Sequence, residues 1–460
     1  MIRVSLLSVA AVLAFAAGTA PSAFAKDGVY TSTTLGRNGD VTVQTTITNG
    51  RIADVKVLDW SETHPIADLP RVKVPADIVK NQSLGVDVVS GATLTSFAII
   101  NGVRDALKQA GLNPADFSKK IAPQPKLTDT VKESADIVII GAGGAGLSAA
   151  VTAAKAGKSV IVMEKTHYAG GNTSVAGGCY NAADPALEAK QEMSPQRRAS
   201  VDALLAEPVR SKLHGELIQK VKEQLAQYDA KGGKYLFDSV ELHALQSWKA
   251  GDYAGNLDLV YELAKGAPEM QKELAEMGFK WNSGTEQVVG ALWPRSNRAS
   301  NYKSGVGYID TFLNEIKTKH LPVTFIMNTA ASDILMKDGR AAGVVGTAEN
   351  GRTFEVLAKD GVILTTGGFS ANIDMRVQYD TIWDKKIGKG VMTTNVPSIT
   401  GDGIKMAQKV GANLIDMGYI QLLPTTDPYT GATNHAVSLT TGIYLNTDGK
   451  RFVNELGRRD

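Results

Sequence analysis

The chain has 460 residues, of which 43% are hydrophobic and 21% charged, and a net charge of +2. This is the composition of a soluble globular protein with room for two or three domains, and so small a positive excess implies no nucleic-acid or acidic-surface partner. Cys179 is the single cysteine, which excludes an internal disulfide framework and a C-x-x-C-H haem attachment, and the six histidines show no metal-ligand spacing.

Residues 1–25 read as a signal peptide. Arg3 supplies the positive end, residues 4–17 form an apolar core too short for a comfortable membrane span, and Ala23-Phe24-Ala25 is an A-x-A cleavage site. The expectation is export, to the periplasm or otherwise out of the cytoplasm, with a mature chain starting near Lys26; an uncleaved anchor is the alternative. Residues 27–117 form a first, small α+β domain. Val41-Thr42-Val43-Gln44-Thr45-Thr46-Ile47 alternates as a strand does, and Asn49-Gly50 is a hairpin signal before a second strand over 51–58. A proline-rich loop follows, and then Asp87-Val88-Val89-Ser90-Gly91-Ala92-Thr93 leads into a helix over 96–110. Residues 118–134, with Pro123 and Pro125 among lysines, read as a linker.

The apolar run 135–140 begins the larger domain. Gly141-Ala142-Gly143-Gly144-Ala145-Gly146 fits G-x-G-x-x-G, a small-residue helix follows, and a buried strand over 159–163 ends on Glu164. In such a β-α-β unit Gly141 permits the tight turn, Gly143 lets backbone approach a pyrophosphate, and Gly146 lets the helix pack against the sheet. The helix start offers N–H groups to phosphates, and Glu164 can accept from a ribose. Closely spaced glycines recur in Gly170-Gly171-Asn172-Thr173 and Ala176-Gly177-Gly178. Residues 183–278 are mostly helical, with His214 and His243 expected on the surface or at caps and Arg295 expected in solvent. Residues 322–358 read as a meander turning at Asp338-Gly339. A buried strand then ends in Thr365-Thr366-Gly367-Gly368, and Gly401-Asp402-Gly403 precedes a helix over 404–410.

These glycine motifs, with Arg451-Phe452-Val453-Asn454-Glu455 near the end, resemble the fumarate reductase flavoprotein family, which includes soluble fumarate reductases and urocanate reductase. The likeness covers most of 135–460. It implies an α/β Rossmann-like FAD domain of the glutathione-reductase type over 135–418 and the start of a capping, substrate-binding domain over 419–460. Non-covalent FAD would be held by Gly141, Gly143, Ala145, Gly146, Glu164, Lys165, Asn172, Thr173, Gly177, Gly178, Thr366, Gly367 and Asp402. The Asp87-x-x-Ser90-Gly91-Ala92-Thr93 string, by itself an ordinary loop and helix cap, resembles the flavinylation motif of FMN-binding domains. That likeness implies FMN esterified through its phosphate to Thr93.

Arg459 falls where the family has its active-site acid. His435 and Ser438 fall on the relay positions, with His435 the candidate substitute. Leu423 stands where soluble fumarate reductases have a His that holds one carboxylate of fumarate, which implies a substrate with one carboxylate and a less polar end. The implied function is an exported reductase of the C=C bond of an α,β-unsaturated carboxylate, urocanate or a similar acrylate. Electrons would pass from a quinol-linked or cytochrome donor to FMN, then FAD, then substrate, in anaerobic respiration, without a metal site. The alternatives are a fumarate reductase, an electron-transfer flavoprotein without substrate turnover, and a dehydrogenase running in reverse. The family's cap domain continues beyond the position of Asp460, so the expectation is a fragment of a longer protein or a truncated gene product.

Overall fold

The computed structural model describes residues 26–122, 125–288, 291–423, 426, 431 and 442–455. The chain divides into two units. The first takes the described residues up to Ser61, Pro70–Val89 and Leu94–Ala122, and the second takes Glu62–Leu69, Ser90–Thr93 and the described residues from 125 onward.

The first unit is built on an antiparallel sheet, β1 (Gly28–Leu35), β2 (Asp40–Thr48) and β3 (Arg51–Trp60), in that order. Alternate residues of β2, Val41, Val43, Thr45 and Ile47, are buried, as the period of two requires. Asn49 and Gly50 both have positive φ (52° and 68°), the backbone that closes a two-residue hairpin with the twist of its strands. Strand β1 carries too little apolar alternation to have been read from sequence. The proline-rich stretch is also no mere loop: it enters helix α1 (Asp68–Asn81). Pro70 lies in the first turn, where no N–H is needed, and Pro75 is buried mid-helix. The end of α1 is clamped to β3 by Gln82, whose amide donates to Ile52 O (2.8 Å) and accepts from Ile52 N (2.9 Å). Helix α2 (Thr93–Gln109) buries Ile99, Ile100, Val103 and Leu107. It packs so closely that a Cβ on Gly102 would stand 2.9 Å from the Val43 side chain.

The second unit has a six-stranded sheet in the order β8-β5-β4-β11-β10-β9. These strands are β4 (Thr130–Ile140), β5 (Val160–Met163), β8 (Val323–Ile326), β9 (Thr329–Lys337), β10 (Arg340–Ala348) and β11 (Thr353–Leu364). β8, β5, β4 and β11 run parallel; β11, β10 and β9 form an antiparallel meander whose β9–β10 turn is at Asp338-Gly339. β4 begins at Thr130, five residues before the apolar run, because its first residues pair with β11 from Thr130↔Thr353 onward. The linker reading thus extends too far at its C-terminal end. A short pair, β6 (Tyr180–Asn181) and β7 (Ser296–Asn297), completes the strands among the described residues.

Both faces of the parallel strands are covered, which is why they read as continuous apolar runs. Ile139, Val160 and Val162 pack with helix α3 (Gly144–Lys155), while Val138, Ile140, Ile161 and Met163 pack with Val344, Val356 and Met406. The other helices are α4 (Gly171–Val175), α5 (Pro185–Glu188), α6 (Pro195–Leu205), α7 (Lys212–Ala230), α8 (Val240–Ala250), α9 (Leu257–Glu276), α10 (Val306–Thr318), α11 (Ile373–Tyr379) and α12 (Asp402–Lys409). α6 to α9 share a core around Trp293.

Three residues expected at the surface are buried among these helices. His214 is fully buried, with Nδ1 accepting from Arg210 N (3.1 Å) and its ring edge-on to Trp248. Arg295 forks onto Asp238 with two bonds of 2.8 Å and donates to Gln246 (2.6 Å). His243 and Glu188 belong to the same buried cluster. Burial, with Asp238 beside it, pushes Glu188 up to about 9; burial, with Arg295 beside it, pushes His243 down to about 4.

The folded state thus keeps the Glu188 proton while the unfolded chain releases it from about 4.5, so this contribution is full at low pH and is lost as pH rises towards 9. The His243 contribution is full above about 6.5 and is lost as pH falls towards 4. Of these two groups, only Glu188 contributes a loss between about pH 6.5 and 9. Glu188→Gln should therefore flatten the fall in urea midpoint between about pH 6.5 and 9, and an unchanged slope would contradict this assignment.

Candidate functional site

Three parallel strands end at one edge of the sheet, and the turns that leave them form a cleft. β4 runs into Gly141, β5 into Glu164, and β11 into Thr365-Thr366-Gly367. The cleft, of about 280 Å³, is lined by Gly141, Gly143, Gly144, Ala145, Glu164, Lys165, Asn172, Thr173, Thr366, Gly367 and Asp402, with Thr329, Ala331, Ser398 and Thr400 beside them.

The first turn is set by contact. Gly141 has φ 103°, and a Cβ there would lie 2.7 Å from Thr365 O. A Cβ on Gly146 would fall 2.0 Å from Gly141 O and 2.8 Å from Thr365 Oγ1. Thr365 fastens the two turns together, its N donating to Ile140 O (2.9 Å) and its hydroxyl lying 2.9 Å from Gly141 O. Gly143, which caps α3 without a side-chain bond, is different: a Cβ would meet nothing nearer than Gly170 O at 3.9 Å. Space above Gly143 and the first N–H groups of a helix are what a diphosphate requires.

Glu164 fixes the turn as well as facing the cleft. One oxygen accepts from Ala142 N (2.8 Å), and the other from Thr166 N (2.9 Å) and Thr166 Oγ1 (2.8 Å). Of the roughly four acceptor positions of a carboxylate, about one is left for a ribose hydroxyl. Thr173 Oγ1 accepts from Gly144 N (3.1 Å), and Asn172 bonds Asn395 and Val396 N (2.9 Å), which ties α4 to the loop before α12. Lys165 donates to Asp402 (2.6 Å) and Thr400 (2.8 Å). Burial raises the Asp402 carboxyl, but Lys165 and Thr400 outweigh it and hold the group below its ordinary value.

Gly146 lies beneath the turn rather than in the cleft. Gly177 and Gly178 do not line the cleft: Gly177 O accepts from Arg298, and Gly178 (φ 74°) packs on Ser304 and accepts from Tyr308 OH (2.8 Å). Thr93 is the first residue of α2, exposed, and follows Gly91 at φ 82°. Leu423 is 44% exposed. In the Arg-Phe-Val-Asn-Glu string, Arg451 bonds Glu455 and holds its carboxyl down at about 2, while Glu455 also accepts from Tyr444 N (2.7 Å). His435, Ser438 and Arg459 lie outside the described residues. Thr365, Thr400 and Asn395 were not singled out from sequence; the first two sit directly beside recognised motifs, whereas Asn395 carries no local signal. No cluster of His, Cys, Asp or Glu able to hold a metal occurs among the described residues.

Two glycines separate folding from binding. Gly146→Ala should cost about 1–3 kcal/mol of stability or more, because the obstacle is backbone. Gly143→Ala should leave the unfolding midpoint in place yet weaken FAD about tenfold or more, since its methyl group enters the space above the helix start. Equal effects of the two changes on stability, measured by urea unfolding, would contradict this geometry.

A family model described as FAD binding domain matches residues 136–237 and 231–460, and one described as FMN-binding domain matches 36–108. The chain is 36% identical over 451 residues to an NADH:acrylate oxidoreductase of Vibrio harveyi, an alignment covering 94% of this chain and 44% of that protein. It is 31% identical over 444 residues to a urocanate reductase of Eggerthella lenta, covering 94% and 64%. A flavocytochrome c3 fumarate reductase in its open conformation superposes with a TM-score of 0.52 at 25% identity, covering 71% of this chain and 49% of that one. The chain therefore spans about half the length of the first relatives it matches. With its α/β FAD-binding fold and small FMN-binding domain, it belongs to the FAD-binding flavoprotein family of the fumarate and urocanate reductases.

Proposed function

We propose that the chain is the flavin-bearing part of an exported reductase that saturates the C=C bond of an α,β-unsaturated carboxylate, with urocanate or another single-carboxylate acrylate favoured over fumarate. The observation that carries this reading is the cleft at the carboxyl ends of β4, β5 and β11, in a chain that also holds an FMN-binding domain. The names of the relatives, which act on acrylate, urocanate and fumarate, supply the substrate class.

The residues present fit FAD. Gly143 and the start of α3 would take the diphosphate, Glu164 would accept from a ribose hydroxyl, and Asn172, Thr173, Thr366 and Gly367 would border the rest. Bound there, the flavin supplies two-electron reduction chemistry that side chains lack. Thr93 would carry FMN through a phosphoester, its place at the start of α2 favouring the phosphate. The guanidinium of Arg459 would give a proton to the substrate's α-carbon, with His435 a candidate to resupply it; the first assignment rests on the family resemblance of the 451–459 string, the second on that of the relay position His435 occupies. Leu423, whose side chain has no hydrogen-bonding group, supports a substrate end that is not a carboxylate. Electrons would come from a quinol-linked or cytochrome donor; the NADH named in two of the relatives makes a nicotinamide-fed partner domain the rival source.

Two measurements test this reading. Protein isolated from the cell envelope should oxidise reduced methyl viologen with urocanate or acrylate, and Arg459→Ala should abolish turnover. Activity on fumarate alone would contradict the single-carboxylate assignment, and activity on none of these would favour an electron carrier. The mature N-terminus should be Lys26; an intact Met1 would contradict cleavage after the Ala23-Phe24-Ala25 site.

A further inference from the structure

The cleft presents two carboxylates, Glu164 and Asp402, to a ligand whose diphosphate is itself anionic. Carboxylates in a partly closed cleft repel such a ligand unless a cation offsets them. Lys165 follows Glu164 at the end of β5, and its ammonium reaches over to Asp402 at the start of α12 (2.6 Å). Thr400 Oγ1 closes the triangle, 2.8 Å from Lys165 Nζ and 2.9 Å from Asp402 Oδ1. Both charged side chains are partly shielded, at 28% and 40% exposure, so the pair lies in the cleft wall rather than in open solvent. Lys405, one turn along α12, adds a weaker attraction. Among the described residues Glu164 has no such cation: its bonds are to Ala142 N and to Thr166.

We infer that Lys165 works as the counter-ion of Asp402 rather than as a ligand of the dinucleotide, and so makes the cleft passable to an anionic diphosphate. This rests on the FAD reading of the cleft. The two roles differ in a double-mutant cycle. A residue that touches the dinucleotide loses the same affinity whatever stands at 402, whereas a counter-ion matters only while Asp402 is charged.

The test titrates flavin-free protein with FAD, following flavin fluorescence, for the wild type, Lys165→Gln, Asp402→Asn and the double variant. Lys165→Gln should weaken FAD about tenfold, and the double variant should bind within about threefold of Asp402→Asn. The weakening by Lys165→Gln should also shrink as salt screens Asp402. An equal loss on replacing Lys165 in both backgrounds would overturn the inference. The urea midpoints of the same four proteins without FAD score the pair separately: non-additive shifts support it, and additive ones overturn it. A wild-type chain that takes up no FAD while the midpoints stay non-additive would strike the FAD reading and leave the ion pair standing.

Discussion

The structure of the larger unit depends on one close approach. Gly146, Gly141 and Thr365 meet where α3, β4 and β11 come together, with room for a hydrogen atom where any other residue would place a carbon. That approach draws α3 down onto the sheet and aims its first N–H groups along the edge where β4, β5 and β11 end. Glu164 then locks the turn through Ala142 N, so the acid expected to read a ribose also holds the loop expected to meet a phosphate. A cleft with open space above Gly143 follows from packing that has no slack below it.

Charge is managed differently in the cleft and in the helical layer. At the cleft the charges stay partly wet, and Lys165, Thr400 and Asp402 satisfy one another. Among α5, α8 and the segment before β7 they are dry. Arg295 is paid for by the fork onto Asp238, Gln246 takes a third bond, and Glu188 and His243 stay neutral because burial penalises their charged forms. A buried cluster of this kind costs more to break than to keep, since removing Arg295 would leave Asp238 as an unpaired interior charge.

Much of the fold was legible because its signals are local. The β2–β3 hairpin, the β4-α3-β5 unit and the β9–β10 turn each follow from periodicity and one or two glycines or asparagines. The different demands on Gly141, Gly143 and Gly146 were also readable: the first and last stand in close contacts that exclude a Cβ, and Gly143 has open space beside it. What was not legible depends on distant partners. Pro70 and Pro75 disguised α1, which their positions and the Gln82 clamp permit. His214, His243 and Arg295 are polar, and only the tertiary packing of α7 and α8 and the presence of Asp238 reveal that they are inside. Gly177 and Gly178 belong to a glycine-rich stretch that divides its work: Gly171, Asn172 and Thr173 border the cleft, while Gly178 allows close packing on Ser304. Asn395 reaches the site only through its bond to Asn172.

The proposed function has one chain carry two flavins held in different ways: FAD by shape and hydrogen bonds in the cleft, and FMN by a covalent bond at Thr93. Acid precipitation of the purified protein separates these directly. The account predicts FAD in the supernatant and, in the pellet, a peptide containing Thr93 heavier by the mass of FMN less water. Release of all flavin into the supernatant, or a pellet whose Thr93 peptide has its unmodified mass, would contradict it.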